Sequence, residues 1–112
     1  MYVHVNGCRI FFDVEGAKVV PDGPRMREKP TIVLVHGGPG HDHSVYKPEF
    51  STLADMMQVI YYDMRGHGRS GAGSPKTWTM AQWADDLKGL CEHLGIERPI
   101  VVGASFGGGV AQ

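Results

Sequence analysis

Pro99-Ile100-Val101-Val102-Gly103-Ala104-Ser105-Phe106-Gly107-Gly108-Gly109-Val110 carries more structural information than any other part of this 112-residue chain. Ile100-Val101-Val102 is short, apolar and β-branched, the composition of a strand buried on both faces of a parallel sheet. Gly103 to Gly107 then spell G-x-S-x-G, and the residues that follow open a helix. A serine at such a junction sits on a tight, strained turn that lifts its Oγ clear of the sheet. Glycines two positions either side make room, because side chains there would collide with the neighbouring strand and helix. The new helix's N-terminus favours developing negative charge. In a chain with 16 glycines the pattern by itself also fits a glycine-rich, phosphate-binding helix start. The buried strand before it and the helix after it select Ser105 as candidate nucleophile. The backbone N–H of Phe106 is then one candidate donor to an oxyanion.

Two earlier runs have the same buried-strand character, Thr31-Ile32-Val33-Leu34-Val35 and Val59-Ile60-Tyr61-Tyr62. The first is followed by His36-Gly37-Gly38-Pro39-Gly40. An oxyanion needs a second donor from the loop after such a strand, and Gly38 is the candidate because glycine allows close backbone approach. A short helix is expected at about 46–56. A stronger one is expected at about 79–94, where Met80, Trp83, Leu87, Leu90, Cys91 and Leu94 share one face. Thr79 and Gln82 suggest a capping box, and Gly95 a C-terminal stop. Near the start, Asn6-Gly7 predicts a two-residue hairpin turn between strands at about 2–6 and 9–15. Residues 16–30 hold Gly16, Pro21, Gly23, Pro24 and Pro30 among mixed charges and read as a mobile surface loop. Strand-helix alternation of this kind is an α/β signature.

Asp63-Met64-Arg65-Gly66-His67-Gly68-Arg69-Ser70 follows the second buried strand. Its glycines force a tight path, and Asp63 with Arg65 is expected to brace it. Asp63 and His67 are tempting partners for Ser105. They are rejected because the acid and the histidine follow the serine in chain order at an elbow of this type. His36 is rejected as base on the same ground. His41 and His43 form an H-x-H pair without a third ligand at motif spacing, so no metal is expected and the pair reads as a solvated loop. Trp78 and Trp83 read as packing residues.

The formal net charge is −1, from 11 basic and 12 acidic residues, with no basic excess to neutralise a phosphate backbone or an anionic membrane surface. Nucleic acid and membrane are therefore not expected partners. An apolar content of 42% argues against disorder. Cys8 and Cys91 are too few for a disulfide framework and read as buried thiols. Residues 1–6 lack the pattern of a secretory leader, and no apolar run approaches the ~20 residues of a membrane span, so cytoplasm is the default location.

Together, His36-Gly37-Gly38-Pro39-Gly40, Tyr62 to Ser70, Trp83-Ala84-Asp85-Asp86-Leu87 and Gly103 to Gly108 make the chain resemble the N-terminal part of an α/β-hydrolase. It is similar in particular to the proline iminopeptidase group of serine peptidases and its esterase-like relatives. The resemblance covers the whole chain and implies one incomplete domain over 1–112 with strand order 1-2-4-3-5. It places the later strands, a helical cap, the triad acid and the base histidine beyond Gln112. The implied reaction is acyl transfer to water through Ser105, with no cofactor, on a small-molecule or short-peptide substrate. Release of an N-terminal proline is the first expectation, and hydrolysis of a small ester or lactone the second. A non-catalytic binding protein of the same fold is a third. Haloalkane dehalogenases and epoxide hydrolases are disfavoured, since both use Asp where Ser105 stands. The chain alone is expected to be inert and unstable, with Ile100-Val101-Val102 left as a hydrophobic sheet edge.

Overall fold

A computed structural model describes residues 1–38 and 40–112, so Pro39 of the glycine-rich loop lies outside the described residues. The chain opens with β1 (Tyr2–Val5) and β2 (Cys8–Glu15), joined by Asn6 and Gly7 with φ of 49° and 75°. Both turn residues therefore have the positive φ that a type I′ hairpin demands. β5 (Thr31–Val35), β6 (Gln58–Tyr62) and β7 (Ile100–Gly103) complete a five-stranded sheet in the order β1-β2-β6-β5-β7. β2 meets β6 antiparallel, while β5 runs parallel to both β6 and β7. Counting sheet strands alone, this is the expected 1-2-4-3-5 order.

The central strands are buried on both faces, and their alternation divides the core. Val33, Val35, Ile60 and Tyr62 face one side, where Trp83, Leu87, Leu90 and Cys91 of α1 (Met80–His93) and Val110 of α2 (Phe106–Ala111) cover them. Ile32, Leu34, Val59 and Tyr61 face the other side and pack with Tyr46, Phe50 and Leu53. β7, a run of buried-strand composition, is the hydrophobic sheet edge expected of Ile100-Val101-Val102. It pairs with β5 alone among the described residues, and Ile100 is exposed.

Three local expectations are corrected. Residues 16–30 are not a plain loop: β3 (Val19–Asp22) and β4 (Arg25–Glu28) pair antiparallel as a separate ribbon. Nearly every residue of the ribbon is exposed, so no hydrophobic alternation marked it in the sequence. The helix expected at 46–56 is two 3₁₀ segments, His43–Tyr46 and Glu49–Asp55. Pro48 explains the break, since it pushes Lys47 to extended backbone (ψ 145°) and cannot donate to a preceding turn. The capping box of α1 is half formed. Thr79 Oγ1 accepts from Gln82 N–H, but the Gln82 amide donates forward to Asp86. At the other end Gly95 (φ 69°) closes α1, with Ile96 N–H bonding to Cys91 O and Gly95 N–H to Glu92 O, the paired bonds of a Schellman motif.

Two buried polar joints hold the ends of these elements. Arg65, after β6, donates from Nε and Nη2 to the two oxygens of Asp86 on α1, at 2.9 and 3.1 Å. Its remaining bonds go to Asn6 O and Thr77 Oγ1, both at 3.1 Å. The expected Asp63–Arg65 brace is therefore replaced by Arg65–Asp86, because α1 delivers Asp86 to the guanidinium. The second joint is His36, fully buried at the end of β5. Its Nδ1–H donates to Gly37 O at 2.8 Å and its Nε2 accepts Met64 N–H at 3.0 Å, which fixes the neutral tautomer. Burial holds its pKa below the ordinary histidine value.

Each joint yields a measurable consequence in the protein carrying this chain. Asp86→Ala strands a buried guanidinium, and urea unfolding should show a loss of about 3–5 kcal/mol. Replacing both partners by Arg65→Met with Asp86→Leu should cost clearly less. For His36, the unfolded state takes up a proton first as pH falls, so the joint's stability is complete above about pH 6.5 and is lost as pH drops toward the lower folded pKa. His36→Gln should flatten that part of the stability–pH profile, measured by thermal melts between neutral and acidic pH.

Candidate active site

The sheet delivers three chain segments to the carboxyl ends of its parallel strands. The first is the turn between β7 and α2. Ser105 there has φ 55° and ψ −122°, a non-glycine conformation that costs roughly 1–3 kcal/mol and persists only where its surroundings enforce it. The enforcing contacts are steric. A Cβ on Gly103 would lie 2.2 Å from Gly107 O, and one on Gly107 would lie 2.3 Å from Val35 O. Strand, turn and helix can approach this closely only with glycine at both positions, which is the physical content of the G-x-S-x-G spacing. Ser105 itself is exposed. The first turn of α2 begins with Gly107 N–H to Ala104 O and Gly108 N–H to Ser105 O, both at 3.0 Å. Phe106, the first residue of that helix, has no intrahelical acceptor for its N–H.

The second segment is the loop after β5. Gly37 packs against the turn: a Cβ on it would sit 3.2 Å from Ala104 O and 3.6 Å from Ser105 Cβ. Gly38 follows with φ 140°. Gly37, Gly38, His41, Val45, Tyr46, Ala104 and Ser105 border one cleft of about 430 Å³. Two of the residues singled out in the sequence, Ser105 and Gly38, thus share a cleft. Phe106 adjoins it at the helix start, its ring edge-on to Trp83 at 5.0 Å.

The third segment is the loop after β6, whose groups are engaged elsewhere. Asp63 is fully buried. Its Oδ1 accepts from both the backbone N–H and Nδ1 of His43 at 2.8 Å, and its Oδ2 accepts Arg69 N–H at 2.9 Å. Ser70 Oγ donates to Asp63 O and accepts Phe11 N–H, tying the loop to β2. His67 donates from Nδ1 to Arg65 O at 3.0 Å, the carbonyl that also accepts Trp83 Nε1–H. It lines a second cleft of about 470 Å³ with Gly40, His41, Gly66, Gly68, Trp78 and Trp83. Among the described residues, no imidazole is hydrogen-bonded to Ser105.

Several side chains differ from their sequence reading. His43 is half-buried against Asp63 rather than solvated, while His41 is exposed. Ligand atoms of Asp42, His43 and Asp63 come within 4.8 Å of one another. Both Asp63 oxygens are engaged by His43 and Arg69, and Asp42 Oδ1 accepts from the N–H and Oγ of Ser44, which holds the Asp42 carboxyl below its usual range. Trp83 is a packing residue as expected. Trp78 is largely exposed, with its Nε1–H on Ala72 O and its ring over Gly66. Tyr46 was not singled out by any motif. It is buried, and its hydroxyl donates to Val35 O at 2.5 Å. Burial pushes its phenol above the ordinary value, so the hydroxyl remains a donor at neutral pH. Only the folded path of the 43–46 turn brings it under the cleft, which no spacing rule conveys. No helix among the described residues is long and apolar enough to cross a membrane.

This geometry has clear relatives. A proline iminopeptidase of Pestalotiopsis fici is 31% identical over 99% of this chain and 37% of its own length. A proline iminopeptidase of Lactobacillus helveticus is 38% identical over 75% of this chain and 30% of its own. Among solved structures, an enol-lactonase from Burkholderia xenovorans superposes with a TM-score of 0.82 at 33% identity, covering 96% of this chain and 38% of the lactonase. The chain thus spans about a third of the length of the curated relatives it matches. Residues 30–112 match the alpha/beta hydrolase fold family, and with the strand order and the turn at Ser105 already described, the chain belongs to that family.

Proposed function

We propose that the protein carrying this chain is a serine hydrolase in which Ser105 is the nucleophile. The observation that carries the reading is the placement of an exposed serine at positive φ, between a parallel strand and a helix start, in one cleft with the Gly37-Gly38 loop. Ser105 Oγ attacks a substrate carbonyl, and the resulting oxyanion takes hydrogen bonds from the N–H groups of Phe106 and Gly38. Collapse expels the leaving group and leaves an acyl-serine, which water then hydrolyses. The proton moves through a histidine supported by an acid, both outside this chain. The bonds that occupy His36, His43 and His67 support that assignment.

The favoured substrate is a peptide with N-terminal proline, in keeping with the relatives of that activity over 99% and 75% of this chain. Hydrolysis of a small ester or lactone is the second reading, favoured by the likeness to the enol-lactonase. A panel of a prolyl arylamide, p-nitrophenyl acetate and an enol lactone separates the two by their kcat/KM values.

A fluorophosphonate probe should label Ser105, and Ser105→Ala should abolish both labelling and turnover. Turnover that survives this substitution would sink the assignment. Gly38→Val should lower kcat by the equivalent of about 2.7–4 kcal/mol, the cost of losing one oxyanion donor. A folded Gly38→Val variant with unchanged kcat would remove Gly38 from the proposed role.

A further inference from the structure

We propose that His36 is a positioning residue whose buried imidazole orients and polarises the Gly37–Gly38 peptide, so that the Gly38 N–H meets the oxyanion formed at Ser105. The inference rests on the reading of Ser105 as nucleophile and Gly38 as donor. It starts from the peptide itself. Glycine on both sides leaves this peptide without a Cβ to restrain it, so its rotation is sterically cheap. The peptide is trans, and its C=O and N–H therefore point in opposite directions. Whatever holds Gly37 O also aims Gly38 N–H. His36 holds it, with Nδ1–H donating to Gly37 O at 2.8 Å, and among the described residues it is the one donor to that carbonyl. The carbonyl is turned toward a fully buried ring, so the N–H is turned away from it. The peptide also lies beside the serine: a Cβ on Gly37 would sit 3.6 Å from Ser105 Cβ, and Gly38 borders the same cleft.

The ring also joins a directed chain of hydrogen bonds. Met64 N–H donates to His36 Nε2 at 3.0 Å, and His36 Nδ1–H donates in turn to Gly37 O. The Gly38 N–H of that same peptide is the next donor in line, and the oxyanion is its acceptor. Each bond in such a chain polarises the next. An imidazole that accepts at Nε2 donates more strongly from Nδ1, and a peptide whose carbonyl accepts donates more strongly from its N–H. The far end of the chain is anchored in the backbone after β6. The ring itself is held from another side by His67, with centroids 5.1 Å apart, and His67 is bonded through Nδ1–H to Arg65 O at 3.0 Å.

Two amide substitutions in the protein at its native length separate the halves of the ring. Glutamine puts its amide near the Nε2 position, where it can accept Met64 N–H but does not reach Gly37 O. Asparagine puts its amide near the Nδ1 position, where it can donate to Gly37 O but does not serve Met64. His36→Gln should lower kcat by about tenfold or more with KM unchanged, short of the ~10²–10³ that outright loss of an oxyanion donor costs. Its affinity for an aryl trifluoromethyl ketone should fall by the same factor. Ser105 Oγ adds to that ketone's carbonyl carbon, the carbonyl π pair becomes the oxyanion, and the serine proton passes to the histidine outside this chain. His36→Asn should lose much less of kcat and of ketone affinity, although both variants melt at a lower temperature. Equal losses in the two variants, or no loss in His36→Gln, overturn the proposal.

If the variants do not fold, the wild-type protein carries the test. Polarisation acts along the whole chain of bonds, so forming the ketone adduct should move the His36 Nδ1–H proton resonance downfield in protein with isotope-labelled histidine. An adduct that forms at Ser105 while this resonance stays in place overturns the proposal and leaves the nucleophile reading intact. A wild type that forms no adduct at Ser105 refutes the nucleophile reading, and the proposal falls with it.

Discussion

The contact on which most of the structure depends is the buried pair Arg65–Asp86. A guanidinium and a carboxylate removed from water cost several kcal/mol each, and their mutual attraction offsets this only with good geometry and full hydrogen bonding. Both conditions hold here. Asp86 accepts from Arg65 twice, and also from Asn6 Nδ2 and the Gln82 amide. Arg65 reaches the first hairpin turn, the 75–77 turn and helix α1 from a single side chain. Its own carbonyl receives His67 and Trp83. One side chain and its peptide thus fix the angle of α1 against the sheet and the path of the loop that leaves β6.

The candidate site rests on a different kind of constraint, one of exclusion. At the turn after β7, backbone atoms of β5, β7 and α2 come closer than any Cβ tolerates. Strain at Ser105 is sustained by that crowding, and the hydroxyl is presented outward as a result. The two constraints meet through Trp83, which packs against the Phe106 ring on one side and bonds to Arg65 O on the other. The position of the helix that begins behind the serine is therefore tied to the buried ion pair.

What could be read from the sequence follows from these causes. Runs such as 31–35 and 59–62 announce themselves because burial on both faces demands continuous apolar residues. Asn6-Gly7, Gly95 and the G-x-S-x-G spacing are legible because positive φ or close approach leaves few residue choices. The 19–28 ribbon was hidden because an exposed hairpin has no buried face to impose a pattern. The 46–56 segment misled because its apolar spacing is compatible with α and 3₁₀ turns alike, and Pro48 interrupts it. Arg65's partner was misassigned since Asp63 is near in sequence while Asp86 is near only after α1 has docked. Tyr46 and His43 were missed as polar partners for the same reason: their contacts, with Val35 O and with Asp63, exist only in the tertiary fold.

The β3–β4 ribbon has a bearing on how the chain tolerates change. It is closed at its base by Lys29 N–H to Lys18 O, and every residue of 19–28 except Val20 is exposed. Among the described residues, its strands pair only with each other and form a sheet separate from the five-stranded one. The turn at Gly23-Pro24 is accordingly a place where a foreign peptide, an affinity tag or a fluorophore attachment point can enter the chain. Lengthening such a loop carries only a slowly growing entropic cost, about 0.6 kcal/mol per doubling. A graft there leaves the strand ends that carry Ser105 and Gly38 undisturbed.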